Sequence, residues 1–327
     1  MAVKTVIEAV REAMAEEMRR DPTVFIMGED VGRRGGVFLA TQNFIDEFGA
    51  QRVIDTPLAE SAIAGVAVGA AMHGMRPIAE VQFADFIFPT VNQLIGEAAR
   101  VRYGTNGKLH VPMVVRCPYG GHVRGGLFHS QSVEAFFAHV PGLKVVTPAT
   151  PYDAKGLLKA AIRDNDPVLV FEHKRTYRSV KGEVPDEDYV VPIGVADVKR
   201  EGTDATVITY GLTMHYALQA AETLADEGAS VEVVDLRTVR PIDREAVLAS
   251  VRKTSRALVV HEDNLTGGIG AEVSAIIAES AFDSLDAPVM RCAGPDIPAM
   301  PFAPTLEAAY MPTADKIAAA LRTLLEY

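Results

Sequence analysis

Val24-Phe-Ile-Met27, Ser61-Ala-Ile-Ala-Gly-Val-Ala-Val-Gly-Ala-Ala71 and Pro77-Ile-Ala-Glu-Val-Gln-Phe83 decide the fold. The first and third are short β-branched and aromatic runs of strand length. The second continues to His73, too long for a strand, and reads as a buried helix of small residues. Strand, helix and strand at this spacing form a parallel βαβ unit. Working outward, the alternation persists. Phe88–Tyr103 reads as a helix, Pro112–Arg116 and Leu143–Thr147 as strands, Tyr152–Arg163 as a helix and Val168–Glu172 as a strand. Upstream, Met1–Arg20 carries both signs of charge and no apolar stretch, so it reads as an amphipathic helix and not as a signal peptide.

The rhythm stops over Lys174–Val195, a charged segment with Pro185 and Pro192 and no period. It restarts with strands at Ala205–Tyr210, Val231–Leu236, Ala257–His261 and Val289–Cys292. Between and after them come helices at Met214–Glu227, Asp243–Lys253, Gly270–Glu279 and Thr313–Leu325. Asp243 and Thr313 stand where N-caps belong. A chain of 327 residues exceeds one compact core. The expectation is an α/β protein of two parallel or mixed-sheet domains, 1–180 and 201–327, joined by a linker at 181–200.

Composition excludes several classes. The 43 acidic against 32 basic residues give a net charge of -11, which weighs against a nucleic-acid partner. The longest apolar run, Ala62–Met72, falls short of the ~20 residues a membrane span needs. Cys117 and Cys292 are far apart and outside any CxxC pattern. They predict neither a disulfide framework nor a zinc site, and they suit a reducing cytoplasm.

Ligands of open α/β sheets sit beyond the carboxyl ends of the strands. Three loops there are rich in chemistry: Gly28-Glu-Asp-Val-Gly-Arg-Arg-Gly-Gly36, Asp55-Thr-Pro-Leu-Ala-Glu60 and Pro118-Tyr-Gly-Gly-His-Val-Arg-Gly-Gly-Leu-Phe-His-Ser-Gln-Ser132. Glu60 opens the small-residue helix. A carboxylate there can simply complement the helix dipole; in an apolar setting it can instead be a proton donor near neutral pH. His129 lies in a glycine-rich loop, where it is either a surface residue or an acid–base group. His122 and Arg124 in the same loop would suit a carboxylate substrate. Phe83, Phe86, Ile87 and Phe88 are either core or an apolar platform for a ring. Gly267-Gly-Ile-Gly270 opens a helix, but Val273 stands where a dinucleotide fingerprint needs its third glycine, so tight packing is the expected role. There is no P-loop, and no Gly-Asp-Gly stretch with a downstream Asn.

Taken together, seven segments in order resemble the beta subunits of the decarboxylating component of 2-oxo acid dehydrogenases. They are Gly28-Glu-Asp-Val-Gly32, Asp55–Glu60, Glu80-Val-Gln-Phe-Ala-Asp-Phe-Ile-Phe-Pro89, His129-Ser-Gln-Ser132, Pro141-Gly-Leu-Lys-Val-Val146, Ala154-Lys-Gly-Leu-Leu158 and Val234-Asp-Leu-Arg-Thr238. The resemblance runs the length of the chain. It implies a transketolase-like pyrimidine-binding domain followed by a transketolase C-terminal domain. It also accounts for the missing Gly-Asp-Gly pattern, which in this family belongs to an alpha subunit of an α2β2 heterotetramer. Thiamine diphosphate is then shared between the chains, with Mg2+ held mainly by the alpha subunit.

The resemblance also implies roles for residues. Glu60 matches the glutamate that hydrogen-bonds the aminopyrimidine nitrogen and favours the imino tautomer. His129 matches the histidine that assists acyl transfer to the lipoyl arm of an acyltransferase core. Leu58, Gln82 and Phe86 flank the cofactor, Phe86 standing where branched-chain members carry Tyr. A structural K+, held largely through main-chain oxygens, is implied around Val111, Met113, Val114, Ala161, Asp164 and Asp166, the last in place of an Asn of some members. Ala84–Pro89 and Phe128–His139 are closer to branched-chain 2-oxo acid enzymes than to pyruvate or acetoin enzymes. A non-catalytic transketolase-like scaffold is the alternative from another class, and the presence of Glu60 and His129 argues against it.

Overall fold

The computed structural model describes residues 1–327. In chain order its regular elements begin with β1 (Ala2–Thr5), α1 (Val6–Arg20), β2 (Val24–Gly28), α2 (Phe44–Phe48), β3 (Val53–Asp55), α3 (Glu60–Met72), β4 (Arg76–Glu80), α4 (Ala99–Gly104) and β5 (Val114–Tyr119). They continue with α5 (Glu134–Ala138), β6 (Lys144–Val146), α6 (Pro151–Arg163), β7 (Val168–His173), α7 (Thr176–Ser179) and β8 (Lys181–Val184). The remainder are β9 (Asp197–Arg200), β10 (Ala205–Thr209), α8 (Leu212–Asp226), β11 (Val231–Asp235), β12 (Thr238–Arg240), α9 (Arg244–Thr254), β13 (Ala257–Asn264), α10 (Ile269–Ser280), β14 (Met290–Gly294), α11 (Pro304–Tyr310) and α12 (Ala314–Leu325). The chain divides into two compact units, Met1–Tyr119 with Phe136–Ile193, and Gly120–Ala135 with Gly194–Tyr327.

In the first unit the strands lie in the order β6-β7-β5-β4-β2-β3, every pairing parallel. Parallel strands buried on both faces read as continuous apolar runs, which is why Val24–Gly28 and Val168–His173 carry no polar alternation. One face packs on α1 and α6 through Val10, Met14, Met18, Leu157, Leu158 and Ile162. A capping box starts α1: the Glu8 N–H donates to Thr5 Oγ1, and the Thr5 N–H donates to Glu8 Oε2 at 2.8 Å. The two helices are also joined by charge. The buried Lys155 and Lys159 reach the two oxygens of Glu16 at 2.7 and 2.5 Å.

In the second unit the order is β14-β13-β10-β11-β9, parallel except for the edge strand β9. Asp243 and Thr313 cap α9 and α12 through the N–H groups of Ala246 and Lys316, as their positions predict.

Four expectations change. The first residues of Met1–Arg20 form β1, paired antiparallel with β8, and the helix starts only at Val6. The segment read as a linker therefore carries structure at both ends, β8 and β9, with no regular element between them. Phe88–Tyr103 is not one α-helix: a 3-10 turn at Phe88–Thr90 is followed by a π-helical stretch, Asn92–Ala98, before α4. Pro89, which has no N–H to give, sits in that first turn. Finally, α3 is not buried all round. Ile63, Ala64, Ala67, Val68 and Ala71 are covered, but Ser61, Ala62 and Val66 are exposed. An apolar helix requires cover on both faces, and the first unit supplies one.

Candidate active site

The register of three neighbouring strands builds the first half of the site. Gly28, at the end of β2, stands opposite Asp55 of β3 on one side and Glu80 of β4 on the other. The loops after these strands consequently leave the sheet side by side. They carry Glu29, then Leu58 and Glu60, then Gln82 and Phe86. The Gln82 amide donates to the Glu29 carbonyl oxygen at 3.3 Å, tying the first loop to the third. Glu60 is the first residue of α3 and half-buried. Its N-cap, Ala59, has no side chain to satisfy the helix end, so Glu60 is the acidic group of the first turn. Leu58 is 80% exposed, an apolar side chain without cover in this chain. Phe86 is half-buried and meets Phe83 edge-on at 5.9 Å; Phe83 in turn meets Phe38 edge-on at 5.5 Å. Phe83 thus belongs to the packing of the unit, and Phe86 to its rim.

Glu29 was not singled out in the sequence. It is buried, and its Oε1 has no hydrogen-bond partner within the chain. Burial first, then the Glu60 charge, push its carboxyl above the ordinary range. The sequence signal for it was its position directly after a strand; what was missing was the adjacency of β2 and β3, which brings Glu29 near Glu60.

Behind these loops lies a buried ion set. Arg116 on β5 donates to Glu172 Oε1 and Oε2, both at 2.7 Å, and to Glu80 Oε2 at 2.5 Å; Tyr177 donates to Glu172 Oε2 at 2.6 Å. Burial raises the Glu80 carboxyl, while Arg116 opposes that rise. Glu80 and Glu172 raise the Arg116 guanidinium against the effect of its own burial.

In the second unit His129 is exposed on the Gly120–Ala135 segment. By contacts this segment groups with the second unit. The Gly121 N–H donates to Glu262, the Arg124 N–H donates to Glu307, and Tyr210 donates to Glu134. His122 Nδ1 is 2.5 Å from the Tyr216 hydroxyl, and Arg124 is exposed. The structure thus gives His122 a hydrogen-bonding neighbour in its own unit. At the Gly267–Gly270 turn the expected close packing is present. A Cβ on Gly268 would lie 2.5 Å from His261 Cε1, and one on Gly270 2.6 Å from His261 Nε2.

At the positions matched to a potassium site, the side-chain carboxylates are already paired with cations. Lys144 Nζ sits 2.7 and 2.8 Å from the Asp164 oxygens and 3.2 Å from Asp166 Oδ2. Arg102 holds both oxygens of Asp166, and Arg76 donates to the Asp164 carbonyl at 2.8 Å. The Val111, Met113 and Ala161 carbonyls each accept a backbone N–H, and Val114 continues into β5. A cation beside these carboxylates would be repelled by an ammonium already on them. No group of three or more His, Cys, Asp or Glu side chains is arranged to hold any metal ion. The residues near Glu60 do fit the pyrimidine half of a thiamine cofactor: a carboxylate at a helix start, an orphaned buried carboxylate oxygen and an uncovered apolar rim.

The family described as "Transketolase, pyrimidine binding domain" matches residues 3–180, and "Transketolase, C-terminal domain" matches 194–317. A solved structure titled "Split gene transketolase, inactive beta4 tetramer" superposes with a TM-score of 0.80 at 24% identity, covering 98% of each chain; this likeness bears on the fold alone. Over 327 residues, all of both chains, this chain is 63% identical to the 2-oxoisovalerate dehydrogenase subunit beta of Bacillus subtilis (strain 168). It is 48% identical, again over the whole of both chains, to the pyruvate dehydrogenase E1 component subunit beta of the same organism. The chain belongs to the family of beta subunits of thiamine-diphosphate-dependent 2-oxo acid dehydrogenases.

Proposed function

We propose that this chain is the beta half of an enzyme that oxidatively decarboxylates a branched-chain 2-oxo acid and passes the acyl group to a lipoyl arm of an acyltransferase core. The observation that carries this is an incomplete site. Glu60 and the orphaned Glu29 oxygen are present, while the chain has no Gly-Asp-Gly pattern and no metal-binding cluster. Beside Glu60, α3 leaves Ala62 and Val66 exposed. An alpha subunit would cover that face, supply the diphosphate and Mg2+ ligands, and complete an α2β2 assembly. The cofactor, when bound, supplies the electron sink for loss of carbon dioxide. Glu60 holds a proton at the pyrimidine ring nitrogen, and Leu58, Gln82 and Phe86 keep the ring in place and exclude water. His129 serves acyl transfer. No helix is long and apolar enough to cross a membrane, and both cysteines are free, which suits the cytoplasm.

The test is co-expression with an alpha subunit and assay with thiamine diphosphate and Mg2+. The 63% identity to a 2-oxoisovalerate enzyme favours 3-methyl-2-oxobutanoate over pyruvate, by about 10-fold or more in kcat/KM, the scale on which an apolar pocket discriminates a few methyl groups. Equal or better use of pyruvate would move the assignment to the second reading, which rests on the 48% relative. Full turnover by the isolated chain would remove the need for a partner. For His129→Ala, acylation of a lipoyl domain falls by about 100-fold, the usual scale for a lost acid–base group. Its affinity for thiamine diphosphate changes far less, and unchanged single-turnover acylation would withdraw His129 from the reaction.

A further inference from the structure

We propose that Glu262 is the positioning residue for His129: its buried carboxylate pins both ends of the loop that presents the histidine. The inference rests on the role of His129 given above.

The loop runs from Gly120 to Ser132. Its neck is closed by the Gly120 N–H donating to the Gln131 carbonyl at 3.0 Å. Glu262 Oε1 then accepts the Gly121 N–H at 2.5 Å and the Ser132 hydroxyl at 3.1 Å, so one oxygen holds the entering and the leaving strand of the loop. Farther out, Glu307 accepts the Arg124 N–H at 3.0 Å. All these residues belong to the second unit.

The loop would not keep this shape unaided. His122, Arg124 and Gly126 lie at φ of 60°, 58° and 65°. The first two are left-handed positions that cost an L-residue energy unless its surroundings enforce them. The path is also tight. A Cβ on Gly125 would stand 2.5 Å from the His129 carbonyl oxygen and 2.8 Å from His129 Cβ. His129, Leu127 and Phe128 at the tip are exposed, while Gly126 and Ser130 beside them are buried. Anchors at the base of the loop set the direction in which it presents His129.

Glu262 is suited to that task. It is buried on β13, a strand bonded to β10 on one side and β14 on the other. The ladder with β14 shifts register between Val260 and Asn264, the irregular stretch that contains Glu262. A charged acceptor makes stronger hydrogen bonds than a neutral one, and an acceptor on a central strand transmits little motion. Core packing alone would not require a carboxylate at this position, and burying one is costly.

The experiment uses the co-expressed alpha–beta complex, a free lipoyl domain as acyl acceptor and, separately, an artificial electron acceptor that reports decarboxylation. Glu262→Ala is expected to lower kcat for acylation by about 10-fold while KM for the lipoyl domain and the decarboxylation rate stay within about 2-fold; Glu262→Gln, which keeps an acceptor oxygen, recovers most of the loss. Ser132→Ala, which removes one of the two anchors, costs about 3-fold with the same selectivity. Wild-type acylation by Glu262→Ala, with His129→Ala slowed, overturns the positioning role and leaves that of His129 standing. Normal acylation by His129→Ala overturns both. Equal loss of decarboxylation and acylation in Glu262→Ala marks a merely structural residue and also overturns the inference. Should Glu262→Ala fail to assemble, Ser132→Ala decides, and normal acylation in that variant overturns it.

Discussion

Replacing Glu60 by Gln abolishes decarboxylation in an intact assembly. The amide preserves the size of the side chain at the start of α3, so folding and docking are unaffected, but it no longer exchanges a proton at the pyrimidine nitrogen. A lost acid–base group of this kind costs between about 100-fold and 10,000-fold in rate. The loss at the helix end is small by comparison, about 0.5 kcal/mol for one charge near an exposed N-terminus. The measurement is the rate of carbon dioxide release by the reconstituted complex, with the mass of the complex as control. A variant that decarboxylates within a few-fold of wild type would place the activating carboxylate elsewhere, and Glu29, buried with an unpartnered oxygen and raised by the Glu60 charge, would be the next to examine.

The second large effect is on stability. Arg116→Ala leaves Glu80 and Glu172 buried and facing each other without their shared cation. Removing one partner of a buried charge set costs roughly 3–5 kcal/mol, because the remaining charges can neither pair nor reach water. For a unit of this size that corresponds to a fall in Tm of about 10 °C. The set lies at the carboxyl ends of β4 and β7 and in the middle of β5, behind the loop that carries Gln82, so thiamine diphosphate affinity falls as well. Thermal unfolding checks the first part and a cofactor titration the second. A variant as stable as wild type would mean that the arginine's pairing merely offsets the cost of burying it.

The limits of the sequence reading are specific. As candidates, Glu60 was legible at a helix start after a strand, and Leu58, Gln82 and Phe86 through the resemblance alone; the structure brings their loops out beside one another. Glu29 was not, because its significance depends on β2 lying next to β3. The resemblance placed Asp164 and Asp166 around a potassium site held largely by main-chain oxygens, and said nothing of their side-chain partners. Their actual neighbours, Lys144 and Arg102, come from distant parts of the sequence, and charge pairing at that distance leaves no local trace. The π-helical stretch at Asn92–Ala98 was also invisible, since its residues have ordinary helical patterning.

By itself the sequence determined the alternation of strand and helix, the positions of the N-caps at Asp243 and Thr313, and the family. These are properties of local periodicity and of short motifs, and both are written within a few residues. Only the tertiary structure decided which unit the Gly120–Ala135 segment joins, which face of α3 is left uncovered, and which carboxylates already hold a cation. Those outcomes depend on hydrogen bonds and ion pairs between residues far apart in the chain, such as Gly121 with Glu262 and Arg116 with Glu172. Their energies exist only once the sheets have formed and excluded water.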